Sequence, residues 1–207
     1  MTRPPVALLD YGVGNLHSAA KALDRAGADV RVVPAVAGAD GAAALVVPGV
    51  GAYGACLAGL DRAGGPAAVA GWLAGGRPLL GICVGMQLAF EGSEEGPVSG
   101  GIGAVPGTIR RLAGPVKVPH IGWNEVTPRQ DSVLFAGLPA GTRFYFVHSY
   151  APAAGDTAVA AVCDYGGPFA AAVERGNLFG TQFHPEKSGA AGLALLANFV
   201  AQARLAP

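Results

Sequence analysis

Residues 78–90 read PLLGICVGMQLAF, and the rest of the topology can be arranged around them. The apolar run Pro78–Ile82 predicts a buried strand, and Met86–Phe90 predicts a helical stretch after it. Cys83 stands at the junction, with a glycine two residues away on each side. This pattern is typical of a nucleophile elbow, a strand-to-helix turn too sharp to leave room for side chains beside the nucleophile. Cys83 is therefore the candidate nucleophile, and a helix N-terminus there would favour its thiolate.

The chain before this stretch alternates short apolar strands with helices. Continuous apolar strands joined by helical crossovers predict a parallel sheet covered on both faces. The predicted strands are Val6–Leu9, Val30–Val33 and Ala44–Val47, and the predicted helices are Leu16–Ala26, Ala55–Leu60 and Ala67–Ala74.

The chain after this stretch has short strand patterns separated by Gly/Pro turns, which predict hairpins that are partly antiparallel. The predicted strands are Thr108–Leu112, Asn124–Thr127, Arg143–Tyr150, Ala158–Asp164, Ala170–Glu174 and Leu178–Phe183, and a helix at Ala190–Ala203 follows them. With no internal repeat or linker, we expect a single α/β domain over residues 1–207.

The composition does not decide the function, but it limits the kinds of partner and cofactor to be expected. The 207 residues are enough to bury a core without metal or disulfides. The balanced charge gives no indication of nucleic acid or an anionic membrane surface as a partner, and no apolar run approaches the ~20 residues of a membrane span. The three cysteines are widely spaced, which argues against structural zinc and disulfides. We expect no cofactor and, because Asp10 comes too soon for a signal peptide, a cytoplasmic location.

A base for the nucleophile is predicted in the stretch Phe183-His184-Pro185-Glu186-Lys187. His184 and Glu186 are two residues apart, so in an extended segment their side chains project to the same side. Glu186 could then orient the imidazole and stabilise its protonated form. Cys56 and Cys163 have no comparable setting and are interpreted as core residues.

Residues 49–54 read GVGAYG and match the glycine pattern of a dinucleotide-binding loop. The match follows the third strand, however, and the segment about twenty residues on, Val69–Gly75, has no acidic residue for a ribose. An oxyanion loop is the better interpretation. The N–H of Val50, in a backbone that Gly51 leaves free to rotate, would join that of Val84 over the reacting carbonyl.

Six stretches together resemble the class I glutamine amidotransferases, and more narrowly the glutaminase subunits of imidazole glycerol phosphate synthase in histidine biosynthesis. They are LLDYGVGNLHS (8–18), VVPGVGAYG (46–54), LLGICVGMQLAFEGSEEG (79–96), VPHIGWNEV (118–126), FYFVHSY (144–150) and FGTQFHPEKSG (179–189). The elbow and the His-Pro-Glu stretch belong to many glutaminases. The histidine branch is indicated by four shorter segments, namely DYGVGN, Met86-Gln87, HIGWNEV and FVHSY.

The resemblance implies a flavodoxin-like α/β fold, with a mixed, mainly parallel central sheet, and a mechanism in which Cys83 attacks the glutamine amide and His184 protonates the departing ammonia. Water then hydrolyses the glutamyl thioester. By position, Gln87 and Glu95 would hold the glutamine. The backbone of three further residues, His148, Ser149 and Tyr150, would line its amino-acid end.

The resemblance also implies a partner, a cyclase subunit with a (β/α)₈ barrel that uses the ammonia to make imidazole glycerol phosphate and AICAR. The candidates for the rim that faces this barrel are Asn15, Trp123, Tyr145 and Lys187.

Two alternatives remain open at this point. One is a glutaminase subunit of another pathway, such as anthranilate or vitamin B6 synthesis. The other is a flavodoxin-like nucleotide-binding module without covalent chemistry, which the glycine pattern at 49–54 supports and the predicted triad opposes.

Overall fold

The computed structural model describes residues 2–96, 100–155 and 158–206, and strands and helices alternate through its first half. In chain order the elements are β1 (Pro5–Leu9), α1 (Leu16–Arg25), β2 (Asp29–Val33), β3 (Ala44–Val47), α2 (Tyr53–Arg62), α3 (Gly65–Ala74), β4 (Leu79–Ile82), α4 (Val84–Gln87), β5 (Phe90–Ser93), β6 (Val105–Arg111), β7 (His120–Glu125), β8 (Thr127–Pro128), β9 (Arg143–His148), β10 (Tyr150–Ala151), β11 (Val159–Asp164), β12 (Pro168–Arg175), β13 (Leu178–Thr181) and α5 (Gly189–Ala203). Two 3₁₀ turns, Val36–Ala39 and Pro185–Lys187, accompany them.

The central sheet has eight strands in the order β2-β1-β3-β4-β13-β12-β11-β8. The pairings from β2 to β13 are parallel, and those from β13 to β8 are antiparallel. The parallel part has the strand order of a flavodoxin-like fold. The predicted α/β class, with a mainly parallel sheet and extra antiparallel strands, is confirmed.

Burial explains why the inner parallel strands β3 and β4 read as unbroken apolar runs. Every residue of β3, β4 and β13 is buried. Successive side chains of a strand point to opposite faces, so both faces must be covered. Helices do this in two groups, because α1 packs with α5 while α2 packs with α3. In the part of the chain that the structure describes, no helix is long and apolar enough to cross a membrane.

The second half departs from the predicted boundaries. The predicted helix Met86–Phe90 is wrong at its end, because α4 is a single turn and Phe90 begins β5, where it pairs with Val105 of β6. Long-range strand pairing overrides the local helical pattern here. The predicted strand Arg143–Tyr150 is divided at Ser149, whose carbonyl instead accepts from the Leu112 N–H.

The predicted strand Asn124–Thr127 is divided at Val126 and begins earlier, at His120. In this region β7 pairs with β9 as an antiparallel ribbon outside the central sheet.

Three neighbouring parallel strands bring the predicted site together. The pairing of β3 with β4 sets Val47 beside Gly81, and the pairing of β4 with β13 sets Ile82 beside Thr181. Because the strands are parallel, their carboxyl ends meet at one edge of the sheet. The glycine loop, Cys83 and His184 all follow these ends.

Candidate active site

Cys83 occupies a strained turn directly after β4. Its φ is +56° and its ψ is −113°, and it is the only non-glycine residue with positive φ among those the structure describes. Such strain is concentrated at functional sites. The glycines are required by close approach, since a Cβ on Gly85 would lie 1.9 Å from the Val47 carbonyl oxygen and one on Gly81 would lie 2.6 Å from that of Gly85. The elbow geometry that the sequence predicts is present.

The helix after the elbow is shorter than predicted, so it gives the Cys83 thiolate less support than expected. Because α4 has four residues, it supplies little of the dipole that a longer helix would place behind the thiolate. A different donor faces the sulfur. The side-chain nitrogen of Gln182, Nε2, lies 3.7 Å from Cys83 Sγ in hydrogen-bonding geometry.

His184 and Glu186 form a buried pair beside the elbow. His184 Nδ1 is 2.8 Å from Glu186 Oε1, and the two side chains are 2% and 4% exposed. The predicted extended segment is wrong, because Pro185–Lys187 is a 3₁₀ turn. The turn folds the carboxylate back onto the ring, so the predicted contact forms by a different route.

The electrostatics of this pair favour a charged imidazole. Burial lowers the pKa of His184, but the Cys83 thiolate and the Glu186 carboxylate outweigh it, so the pKa lies above its ordinary value. His184 Nε2 is buried and has no hydrogen-bond partner among the described residues. A proton held on this nitrogen is available for transfer.

A cavity of about 250 Å³ opens onto the sulfur. This volume is below the ~300–1,000 Å³ of sites for drug-sized ligands and suits a ligand the size of an amino acid. Apart from Glu186, which stands behind His184, the cavity brings together every residue predicted for catalysis, the oxyanion hole and substrate binding. Its lining is Val50, Gly51, Cys83, Val84, Gln87, Glu95, Pro119, Val147, His148, Ser149, Tyr150 and His184.

The cavity wall is held by hydrogen bonds between buried side chains. Gln87 Nε2 donates to the Tyr150 carbonyl at 2.9 Å and to Gln182 Oε1 at 3.0 Å. Both N–H bonds of the Gln87 amide are therefore used, and its Oε1 is the atom left to accept from a ligand. Glu95 accepts from the Tyr53 N–H at 2.9 Å through Oε2.

His148 is fixed from its other side by His120. Because the Tyr150 carbonyl can only accept, His148 Nδ1, 3.0 Å away, must carry the proton. His148 Nε2 is then an acceptor, and His120 Nδ1 donates to it at 3.1 Å. Burial lowers the pKa of His120 to about 4 and that of His148 to about 3, so both rings are neutral at physiological pH.

The two backbone donors predicted for the oxyanion hole do not converge in this conformation. The Val84 N–H donates to the Gly49 carbonyl at 3.4 Å. In a trans peptide the N–H points opposite to the C=O, so the Val50 N–H points away from Val84. The neighbouring carbonyls are also held, because the Tyr11 hydroxyl donates to Pro48 and the Cys56 thiol donates to Val50.

None of the four residues predicted for the rim lines the cavity itself, but their contacts lie close to His184 or to Tyr145, whose carbonyl accepts from the His184 N–H. Trp123 is 54% exposed on β7 and contacts Tyr145 of β9, with ring centroids 6.1 Å apart. Lys187 Nζ lies 5.9 Å from the Tyr145 ring. Asn15 caps α1 through the Ser18 N–H and lines a small crevice with His184 and Glu186.

Sequence reasoning misses several residues of the site. Ile121 is 60% exposed on β7, two residues from Trp123, and the two side chains form an exposed apolar pair, called the apolar rim below. No sequence pattern singles out His120 or Gln182 as functional, although they lie in the motifs HIGWNEV and FGTQFHPEKSG. The register of β4 and β13 could have revealed Gln182, because it follows Thr181 as Cys83 follows Ile82.

Within residues 2–96, 100–155 and 158–206, no three His, Cys, Asp or Glu side chains are placed to ligate one ion.

Comparison with known structures agrees with the fold. The chain superposes on PurLQS from Thermotoga maritima with a TM-score of 0.76, 21% identity and coverage of 97% of this chain and 99% of that chain. It superposes on a GMP synthase-like protein from Thermoplasma acidophilum with a TM-score of 0.71 and 21% identity, covering 99% and 96% of the two chains.

Sequence comparison gives much closer relatives. The model of the family "Glutamine amidotransferase class-I" matches residues 7–203. The imidazole glycerol phosphate synthase subunit HisH of Nocardia farcinica is 56% identical, with 97% of this chain and 99% of that protein covered. HisH of Moorella thermoacetica is 47% identical, with 94% and 93% covered. The chain belongs to the class-I glutamine amidotransferases and, within them, to the family of HisH subunits.

Proposed function

We propose that this chain is the glutaminase subunit of an imidazole glycerol phosphate synthase. It hydrolyses glutamine and passes the ammonia to a cyclase subunit with a (β/α)₈ barrel, which makes imidazole glycerol phosphate and AICAR in histidine biosynthesis. The observation that carries the proposal is that the strained Cys83 and His184 line one amino-acid-sized cavity, with Glu186 bonded to His184 from behind. Near 50% identity to HisH subunits supports the choice of pathway.

The first half of the reaction forms a thioester. The Cys83 thiolate attacks the side-chain amide carbon of glutamine, which forms the C–S bond and moves the carbonyl π electrons onto oxygen. As the tetrahedral intermediate collapses, the C–N bond breaks and the proton on His184 Nε2 passes to nitrogen, so that NH₃ leaves. His184 is then neutral and Glu186 keeps its ring oriented.

The second half returns the enzyme to its starting state. His184 takes a proton from water as the water oxygen attacks the thioester carbon. The C–S bond breaks, the electron pair returns to sulfur, and glutamate is released. The thiolate and the imidazolium are restored together, so no further proton transfer to Cys83 or His184 is needed before the next turnover.

Glutamine recognition follows from the donors and acceptors left free in the cavity wall. Gln87 Oε1 can accept only from N–H groups of the substrate, because the Gln87 amide nitrogen is already bonded on both sides. The Glu95 carboxylate suits the substrate ammonium, and the backbone of residues 148–150 lies at the amino-acid end.

The apolar rim is the natural contact for the cyclase. Trp123 and Ile121 are more than half exposed on the β7–β9 ribbon. Exposed large apolar side chains that cluster beside a cavity favour burial against a partner. Asn15, Tyr145 and Lys187 complete the proposed interface, with Asn15 in a crevice beside His184 and Lys187 beside the Tyr145 ring.

A single assay tests the catalytic proposal. We expect Cys83→Ala to release no glutamate above background when assayed with a cyclase partner and its nucleotide ligand, while retaining its circular dichroism and thermal unfolding. Cys163→Ala, at a buried cysteine of β11 far along the chain from the elbow, is the matched control and should retain turnover. A folded Cys83→Ala protein that still hydrolysed glutamine would exclude the covalent mechanism.

A second measurement tests the pathway. We expect the chain to form a stable complex with the cyclase of histidine biosynthesis, and this complex to make imidazole glycerol phosphate from glutamine. Ammonia delivered instead to an anthranilate or vitamin B6 synthase would contradict the assignment, and so would a chain that binds nucleotide and hydrolyses no glutamine even with the cyclase present.

A further inference from the structure

Gln182 contacts the sulfur of Cys83 from the interior of the protein. Its side chain is completely buried and does not line the substrate cavity. The backbone places it there, because β13 pairs with β4 in parallel and the Cys83 N–H donates to the Thr181 carbonyl at 2.7 Å. Gln182 is the residue directly after β13 and therefore stands beside the nucleophile.

The hydrogen-bond network fixes which end of the Gln182 amide faces the sulfur. The Tyr150 carbonyl can only accept, so the Gln87 atom 2.9 Å from it must be the NH₂ group. The same NH₂ group lies 3.0 Å from Gln182, whose facing atom must then be the oxygen. The opposite end of Gln182, 3.7 Å from Cys83 Sγ, must be the NH₂ group. The group that faces the sulfur is thus a donor.

A buried donor that faces the sulfur stabilises the thiolate more than the thiol. A thiol is a weak acceptor, whereas a thiolate is charged and forms a much stronger hydrogen bond. The single turn of α4 supplies little dipole, so the sulfur depends on individual donors. Of the neighbouring donors, the Val84 N–H is committed to Gly49 in this conformation, which leaves Gln182 together with His184.

We propose that Gln182 is a catalytic residue of the glutaminase reaction, donating a hydrogen bond from Nε2 to the Cys83 thiolate in the resting enzyme and again when the thiolate leaves the thioester. Gln87 orients Gln182 by donating to its oxygen. This inference rests on the proposed function, in which Cys83 is the nucleophile. The bond itself transfers no proton, because an amide N–H stays on nitrogen throughout.

The test is the pH profile of Cys83 alkylation by iodoacetamide, measured on the Cys83 peptide by mass spectrometry, for the wild type and for Gln182→Met. Methionine fills a similar volume and has no N–H. We expect the midpoint of the profile to rise by about one to two pH units, with the rate at the high-pH plateau within about twofold. In the presence of the cyclase, kcat/KM should fall about 10- to 100-fold.

Other titratable groups near the sulfur, namely His184, Cys56 and Tyr11, are the same in both proteins. A role in packing alone would lower stability without moving the midpoint. Gln202→Met on α5 is the control for replacing glutamine by methionine, and it should leave the profile unchanged.

If Gln182→Met does not fold, Gln182→Asn replaces it, because the shorter side chain withdraws the amide by one methylene and should raise the midpoint in the same direction. An unchanged midpoint in the folded variant overturns the role of Gln182. Failure of the proposed function looks different: Cys83→Ala would still turn over glutamine, whatever the profile of the Gln182 variants.

Discussion

At the scale of single residues, the backbone of Cys83 carries strain that glycine would not. A non-glycine residue at φ +56° costs about 1–3 kcal/mol, whereas glycine there would be unstrained but would lose about 0.5–1 kcal/mol more in chain entropy. We therefore expect Cys83→Gly to be more stable than Cys83→Ala by about 1 kcal/mol in urea unfolding. A Cys83→Ala variant more stable than Cys83→Gly by about 0.5–1 kcal/mol would mean that the elbow stores no strain. Both variants lack the sulfur, so the comparison is free of effects on thiol chemistry.

The raised pKa of His184 gives a second prediction at this scale. Its folded-state pKa lies above 6.5, so the imidazolium, and the stability it contributes, is complete below pH 6.5 and is lost as the pH rises through the folded value. Glu186 is one of the groups that raise it. We expect Glu186→Gln to move the alkaline limb of the kcat/KM profile to lower pH and to retain some turnover, whereas His184→Ala should lose nearly all of it. A more damaging Glu186→Gln would reverse the assigned roles.

At the scale of elements, the β7–β9 ribbon is joined to the cavity by two neutral histidines. Burial keeps the pKa of His120 at about 4 and that of His148 at about 3. As the pH falls below about 6.5, the unfolded chain takes up protons at these positions and the folded chain does not, so the free energy of unfolding decreases. The ribbon should therefore make folding sensitive to mild acid.

His120→Asn tests this, because it removes one buried imidazole and keeps a side-chain N–H for His148. Between pH 7 and pH 5, we expect the variant to lose about 1–2 kcal/mol less stability than the wild type, measured by urea unfolding at both values. Carboxyl groups common to both proteins cancel in the difference. Equal losses would show that His120 titrates normally in the folded chain.

The elements differ in how far the sequence can predict them. Ala44–Val47 is predicted to the residue, because a strand buried on both faces is an unbroken apolar run bounded by a turn. The local pattern assigns Phe90 wrongly to a helix, since its pairing with Val105 is not encoded locally. The triad is recognisable from motifs at strand ends, whereas Gln182 depends on the register of β13 against β4, which no short motif specifies.

At the scale of the whole molecule, the proposed interface and the reacting groups are connected by short contacts. The Tyr145 carbonyl accepts from the His184 N–H at 2.9 Å, and the Tyr145 ring touches the exposed Trp123. Across the cavity, the loop at residues 48–51 presents the Gly49 carbonyl to the elbow. A partner seated on this rim would therefore be in reach of both sides of the active site.

We expect partner binding to act by turning the Gly49–Val50 peptide. With the Gly49 carbonyl on the Val84 N–H, the tetrahedral intermediate lacks two donors, and each missing donor of this kind costs about 2.7–4 kcal/mol, or roughly 10²–10³-fold in rate. Turning the peptide frees the Val84 N–H and brings the Val50 N–H toward the cavity without moving Cys83 or His184. Because an oxyanion donor acts mainly on the transition state, kcat should rise while KM for glutamine changes little. The test is to measure kcat and KM for the lone chain and then with the cyclase and its nucleotide ligand. Activation that came entirely from a lower KM would point to a rearranged binding pocket and contradict control by the loop.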